Sequence, residues 1–182
     1  MKNESGLPMF TKKINTICSN DNLRPSMSHI MFKDGFIVAT NANILIRQNL
    51  KLYGFSEEQI KLMQEKFLHK NTFKLLLGLE IKEVDADGIV ALKDGSEIKF
   101  LFAKADWKYP NYEAVLPFNS PVQMIDEIGF NDKNIQKILS VMFNSTGGFK
   151  MCFYGKSKAI KITSTSENES EQMAILMPIL IN

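Results

Sequence analysis

The sequence predicts an α+β fold in which short helices lie against antiparallel sheets. Two observations lead there. A Phe-x-x-Lys opening recurs three times ahead of a helical apolar pattern, and turn-punctuated, strand-like sequence comes after each recurrence. The openings stand at Phe10, Phe67 and Phe130, 57 and 63 residues apart. Each unit therefore reads as one helix followed by an antiparallel meander, and the chain as three such units.

In the first unit, FTKKINTIC places Ile14, Ile17 and Cys18 on one helical face, with Thr11 as the cap. HIMFKDGFIVAT and NILIRQNL then read as strands, with Lys33-Asp34-Gly35 as a hairpin turn. In the second, FLHKNTFKLLLGL predicts a helix from Phe67 that faces inward through Phe73, Leu76 and Leu77 and stops at Gly78. LEIKEVDADGIVALKDGSEIKFLFAKAD comes next, with turns at Asp87-Gly88 and Asp94-Gly95. The third helix is the cleanest: Ile135, Ile138, Leu139 and Met142 fall at i, i+3, i+4 and i+7, and Asn131 or Asp132 caps it. GGFKMCFYGKSKAIKITSTS, a polar loop SENESEQ and MAILMPILI complete that unit. Residues 51–59 and 117–123 read as linkers, and residues 58–64 add a helical turn.

Composition narrows the function classes. With 45% hydrophobic and 23% charged residues, the 182-residue chain has the make-up of an ordinary globular protein. A formal charge of +2 implies no nucleic-acid binding by itself, so any such role depends on where the lysines fall. Cys18 and Cys152 lie 134 positions apart, which is neither a disulfide framework nor a metal spacing, and both are expected as buried thiols. MKNESGLPMF lacks the apolar run of a signal peptide, and the run from Ala174 to Ile181 is short and broken by Pro178. A cytoplasmic protein without a membrane span is the expectation, with the Asn-x-Ser/Thr triplets at Asn3, Asn144 and Asn168 as chance matches.

The lysines do fall in a pattern. Lys133 and Lys137 sit one turn apart opposite the apolar stripe, Lys70 and Lys74 repeat that spacing, and Lys12 lies opposite the Ile14 face with Lys13 at its edge. Asp132, at a cap position, is the sole acidic residue in these helices. A lysine face on one helix is ordinary solvation. The same face on three helices predicts a surface that meets phosphates without reading bases.

The order of these elements resembles the bacterial DNA polymerase sliding clamp, the beta subunit of the replicative polymerase. KYPNYEAVLP is similar to the family's F-P-D-Y-x-x-V-L-P segment, with Tyr109, Pro110, Tyr112, Val115, Leu116 and Pro117 in its places. HIMFKDGFIVATNANILI resembles the strand pair leading into A-T-D-G-H-R-L, EIGFNDKNIQKIL the start of the last half-domain, and AILMPILI the closing V-V-M-P-M-R-L. The match runs in order from about residue 9 to 181. A clamp subunit has six helix-plus-strand units, however, and this chain has three, about one and a half clamp domains. The resemblance divides it into 1–116, like the middle domain, and 117–182, like the second half of the last one. Asn41-Ala42-Asn43-Ile44-Leu45 replaces the family's Asp-Gly-His-Arg-Leu, and Leu180 replaces its final arginine.

The resemblance implies a DNA-clamp-like fold, no enzymatic activity, no cofactor and no metal. It also implies a processivity role in DNA replication, with Lys12, Lys13, Arg24, Lys70, Lys74, Lys133 and Lys137 facing duplex DNA weakly and without sequence preference. Carried over by position, a client-peptide pocket consists of Thr40, Leu45, Pro110, Val115, Ile175, Met177, Pro178 and Ile179. Ile44 and Leu180 are expected to make its rim more apolar. The competing reading of the aromatic stretch is that Trp107 and Tyr112 only staple a linker to the core. Twelve units per ring would require four copies, so self-association is expected. The alternative is a clamp-derived interaction module, a decoy or regulator of replication proteins, that encircles nothing. An enzyme has little to stand on: His29 and His69 belong to no paired motif, and NSTGGFK lacks the Gly-Lys-Ser/Thr ending of a phosphate loop and reads as a hairpin turn.

Overall fold

The computed structural model describes residues 6–21, 23–104, 107–116, 121–144, 147–165 and 171–179. Strands β1 (His29–Lys33), β2 (Phe36–Thr40) and β3 (Ile44–Asn49) form the meander expected after the first opening. Asp34 and Gly35 turn β1 into β2 with positive φ at both residues, 51° and 81°, the backbone that a two-residue hairpin requires. Two non-local pairings widen this meander. β4 (Lys66–His69) comes from the second unit and lies antiparallel to β1. On the other side β3 pairs with β10 (Gln172–Leu176), which continues through β9 (Ile160–Ser164) to β8 (Phe149–Cys152). The result is a seven-stranded antiparallel sheet in the order β4-β1-β2-β3-β10-β9-β8.

A separate three-stranded meander holds β5 (Glu80–Val84), β6 (Gly88–Lys93) and β7 (Ser96–Leu101). A Cβ on Gly88 would lie 2.4 Å from the Phe100 carbonyl oxygen, so only glycine fits where β6 begins against β7.

The helices are α1 (Glu57–Met63), α2 (Lys70–Leu76) and α3 (Asp132–Val141). Asn131 caps α3 by accepting from the Asn134 N–H, so its start falls as read. Ile138 and Met142 are buried and Ile135 packs partly, but Val141 is buried where Leu139 is 36% exposed, which turns the apolar stripe toward Val141. α1 carries a Ser56–Gln59 capping box and is the helical turn expected at 58–64; it begins within the stretch 51–59 read as linker, where Tyr53 and Phe55 are buried.

Two segments fold differently from what their local pattern predicts. The first helix is a single 3-10 turn, Ile14–Thr16, with no side-chain cap from Thr11, because Phe10, Ile14, Ile17 and Cys18 are all drawn into the core. Phe67 does not open a helix: it lies in β4, and the sheet edge takes residues that local pattern assigned to helix. α2 ends at Leu76, ahead of Gly78, because Leu77 at its C-cap is already extended; Gly78 follows at φ 77° with its N–H on the Phe10 carbonyl. Pro117, residues 118–120 of the second linker, loop residues 166–170, Asn3, Asn168 and Leu180 lie outside the described residues.

One apolar core fills the space between the sheets and the helices. Ile30, Phe32, Ile37, Ala39, Ile44, Ile46, Ala174 and Leu176 line it from the large sheet, and Ile14, Met63, Phe73, Leu76, Ile138 and Val141 from the helical side. Phe10 sits at its centre, with its ring 4.8–6.3 Å from those of Phe32, Tyr53, Phe55 and Phe73.

The join between first and third units is polar as well as apolar. Gln48 on β3 is directly opposite Gln172 on β10, and both are buried. The Gln48 amide donates to the Val141 carbonyl (2.9 Å) and to Gln172 Oε1 (3.1 Å), while its oxygen accepts from Tyr53 Oη (2.5 Å). Gln172 Oε1 also accepts from the Phe143 N–H (2.8 Å), and its amide donates to the Phe143 carbonyl. Replacing Gln172 by Leu strands several buried donors and acceptors at once, each costing about 1–3 kcal/mol. The expected loss of stability is about 3 kcal/mol in urea denaturation; a loss under about 0.5 kcal/mol would show that the network does not hold the join.

Candidate functional site

The outer face of the large sheet is apolar too, since residues alternate across each strand. Met31, Val38, Leu45, Phe67 and Ile175 form a second cluster there, partly extended by Phe36 and Met177. Leu45 is directly opposite both Thr40 on β2 and Ile175 on β10, so three residues of the expected pocket fall in one row across three strands. They come from stretches about 130 residues apart in sequence. Thr40 donates through Oγ1 to the Ile44 carbonyl (2.8 Å), which fixes the tight β2–β3 connection.

The aromatic stretch packs on this face as a strap. Tyr109 and Tyr112 are buried in the cluster with Leu45 and Ile175, and Tyr109 Oη reaches the Val38 carbonyl at 3.4 Å. Burial pushes both phenols above their ordinary range; the nearby Arg47 guanidinium partly offsets the shift at Tyr112. Arg47 stacks over the Phe36 ring at 4.3 Å. Trp107 packs against His29 (4.3 Å between centroids) and Phe67 (6.4 Å). So the aromatic residues do staple this segment to the sheet, as the competing reading had it. In doing so they hold Pro110 between two grooves.

One groove, of about 440 Å³, is lined by Leu23, Arg24, Pro25, Ser26, Met27, Trp107, Lys108 and Pro110. The other, of about 510 Å³, has Met31 and Phe67 as its apolar floor, with Lys33, Glu65, Lys108 and Glu113 among its lining. Leu23, Met27 and Lys108 line these grooves without having been singled out by sequence; Leu23 is exposed beside Arg24, and local pattern carries no sign of that.

Of the remaining pocket residues, Val115 ends the 3-10 turn Tyr112–Val115. Met177 and Pro178 are half-buried after β10, Met177 bonding through its N–H to the Asn43 carbonyl (2.9 Å). Ile179 is 50% exposed and forms a bridge with Gly129. Ile44 is not at a rim: at 1% exposure it points into the main core, because it alternates with Leu45 along β3.

The lysines lie on the helical side. Lys74, Lys133 and Lys137 are exposed on α2 and α3, and Lys13 is exposed ahead of the 3-10 turn. Lys70 is half-buried, and its ammonium donates to the Ser19 carbonyl (2.6 Å) and Asn20 Oδ1 (2.5 Å). Lys12 is held over the Phe143 ring at 4.9 Å. Arg24 is exposed but lines the groove beside Trp107. Cys18 is buried, with its thiol pushed up to about 12 by that burial, so it is not a nucleophile; Cys152 is only partly buried. Among the described residues, no cluster of His, Cys, Asp and Glu is arranged to hold a metal, and no helix is long and apolar enough to cross a membrane.

This arrangement of antiparallel sheets with few helices matches solved bacterial DNA sliding clamps, which superpose on nearly the whole chain. The Helicobacter pylori beta clamp bound to a DNA ligase peptide matches with a TM-score of 0.66 at 14% identity, over 96% of this chain and 65% of that one. The Bartonella birtlesii sliding clamp bound to griselimycin gives 0.65 at 13% identity, over 93% and 64%. DNA polymerase III subunit beta from Borrelia burgdorferi in complex with a natural product gives 0.64 at 14%, over 100% and 66%. The chain thus has the sliding-clamp fold and spans about two thirds of the length of those clamps. At the level of sequence, neither a family model nor a curated protein matches it.

Proposed function

We propose that this chain is a clamp-like DNA replication protein, cytoplasmic and non-enzymatic, that receives client peptides beside its strap and touches duplex DNA through its lysine helices without reading sequence. The observation that supports this reading most directly is the row Thr40–Leu45–Ile175 beneath the strap, within a clamp fold. Two of the matched clamps are bound to a peptide or to griselimycin. The proposed units are residues 1–116 and 117–182.

Since Leu45 and Ile175 are buried in the cluster that also holds Tyr109 and Tyr112, the atoms a peptide meets first are those of Pro110, Met177, Pro178, Ile179 and the adjoining groove of Met27 and Trp107. A short peptide anchored by a few apolar side chains in such a shallow site binds with a Kd on the order of micromolar. Titrating a labelled clamp-binding peptide should give that affinity for the wild type and at least about tenfold weaker binding for the Pro110→Ala, Met177→Ala double variant. Equal binding by both would remove the site.

Of the lysines expected to face DNA, Lys13, Lys74, Lys133 and Lys137 are exposed and available to phosphate, since Lys12 and Lys70 are engaged within the protein. Duplex binding should fall steeply with salt, by about 0.9 log unit of affinity per log unit of salt for each phosphate neutralised. Changing these four lysines to Glu should abolish binding at low salt. Unchanged binding would mean that the helices do not face DNA.

β7 and β8 are the terminal strands of their sheets, and such edges invite pairing with another chain. A processivity role requires head-to-tail closure, for which three units per chain imply four copies. The second reading, an interaction module that encircles nothing, is favoured by the short chain and the covered row. Light scattering at high concentration separates the two: a multimer is expected, and a strict monomer would favour the module.

A further inference from the structure

His29 and His69 face each other across the β1–β4 pair, with ring centroids 4.8 Å apart in an edge-on arrangement. Backbone groups fix a different tautomer on each. His29 Nδ1 lies 2.8 Å from the Pro25 carbonyl oxygen; a carbonyl only accepts, so Nδ1 carries the proton there. Ser28 Oγ lies 3.0 Å from the same nitrogen and donates its own proton to Pro25 O. His69 Nδ1 accepts from the Asn71 N–H at 3.2 Å, so its proton is on Nε2. That bond is also the side-chain cap of α2.

The two rings therefore stand between α2, which carries Lys70 and Lys74, and the strap, whose Trp107 lies on His29. We propose that the His29–His69 pair is a proton-sensitive joint between the helix α2 and the strap. A proton arriving at His69 must bind Nδ1, the atom that now accepts Asn71 N–H. The cap is lost, two donors then oppose each other, and an imidazolium faces His29 and Lys70. A proton arriving at His29 binds Nε2 and places a charge between His69 and Trp107. Either step disturbs both ends of the joint, so helix cap and tryptophan respond together.

The surrounding charges favour the neutral pair. Lys70 stands beside both rings on α2, while Arg24, ahead of the 3-10 turn Pro25–Ser28, and Lys108 on the strap line the groove that Trp107 shares. Cys18, under Lys70, stays a neutral thiol. Glu65 and Glu113 line the second groove. Burial above all, with smaller contributions from His69 and Lys70 and against the opposing pull of the bond to the Pro25 carbonyl, holds His29 below the ordinary histidine value of about 6.5; burial and Lys70 do the same for His69. With folded values lowered, the neutral joint contributes stability in full above about pH 6.5 and loses it as pH falls below that value. Any effect on client peptides rests on the reading proposed above, but the joint itself is tested without a ligand.

The experiment is an NMR titration of the full chain from pH 8 to 5, following the Asn71 amide and the indole N–H of Trp107, the sole tryptophan. Both should shift with a common midpoint below about 6.5. In His69→Asn, where asparagine caps α2 without titrating, the Asn71 response should vanish and the Trp107 midpoint should move up as His29 loses its neighbour. Flat signals in the wild type, or an unchanged Asn71 response in His69→Asn, would overturn the proposal.

Discussion

The antiparallel pairing of β3 with β10 is the constraint on which the rest of the molecule depends. It joins the third unit to the first, and only through it do Leu45 and Ile175 become neighbours. Apolar contact alone would leave the register of five residue pairs weakly fixed, since a slip of one residue still presents aliphatic side chains to each face. What specifies it is Gln48 against Gln172. Two buried amides satisfy each other together with the backbone of Val141 and Phe143 and the hydroxyl of Tyr53 in one register only. The same network ties the end of α3 to the sheet, so the helix carrying Lys133 and Lys137 is placed by the strand that places Ile175.

That join makes a sheet with two different jobs on its two faces. The inner face packs against the helices over the main core, and the lysines project from the far side of that layer. The outer face is held by the strap, whose aromatic residues bury large apolar area with few rotatable bonds. Rigidity there has a consequence for binding: Pro110 is positioned by its neighbours Trp107 and Tyr109 before any ligand arrives. The cost is that Tyr109 and Tyr112 are themselves buried in the outer-face cluster with Leu45 and Ile175, which leaves the grooves flanking the strap as its accessible relief.

The sequence alone determined the meanders and α3, because periodicity and turn chemistry act over a few residues: Asp34-Gly35 must turn, and Asn131 caps the helix directly after it. It also marked the strap, through its Trp, Tyr and Pro content, and Leu45 and Met177 through family resemblance. Tertiary structure decided the rest. Phe67 has a helical neighbourhood but lies in β4 because the β1 edge offers it backbone partners. The FTKKINTIC segment shortens to one 3-10 turn because the core claims Phe10, Ile14 and Ile17 together. Lys70 and Lys12, which read as free cations, are captured by Ser19, Asn20 and Phe143 from remote segments. Ile44 points inward because the register of β3 is set by β2 and β10. Apart from the β2 neighbour of Ile44, the deciding partners are tens of residues away, where local pattern carries no information and only the closing of the sheet and core does.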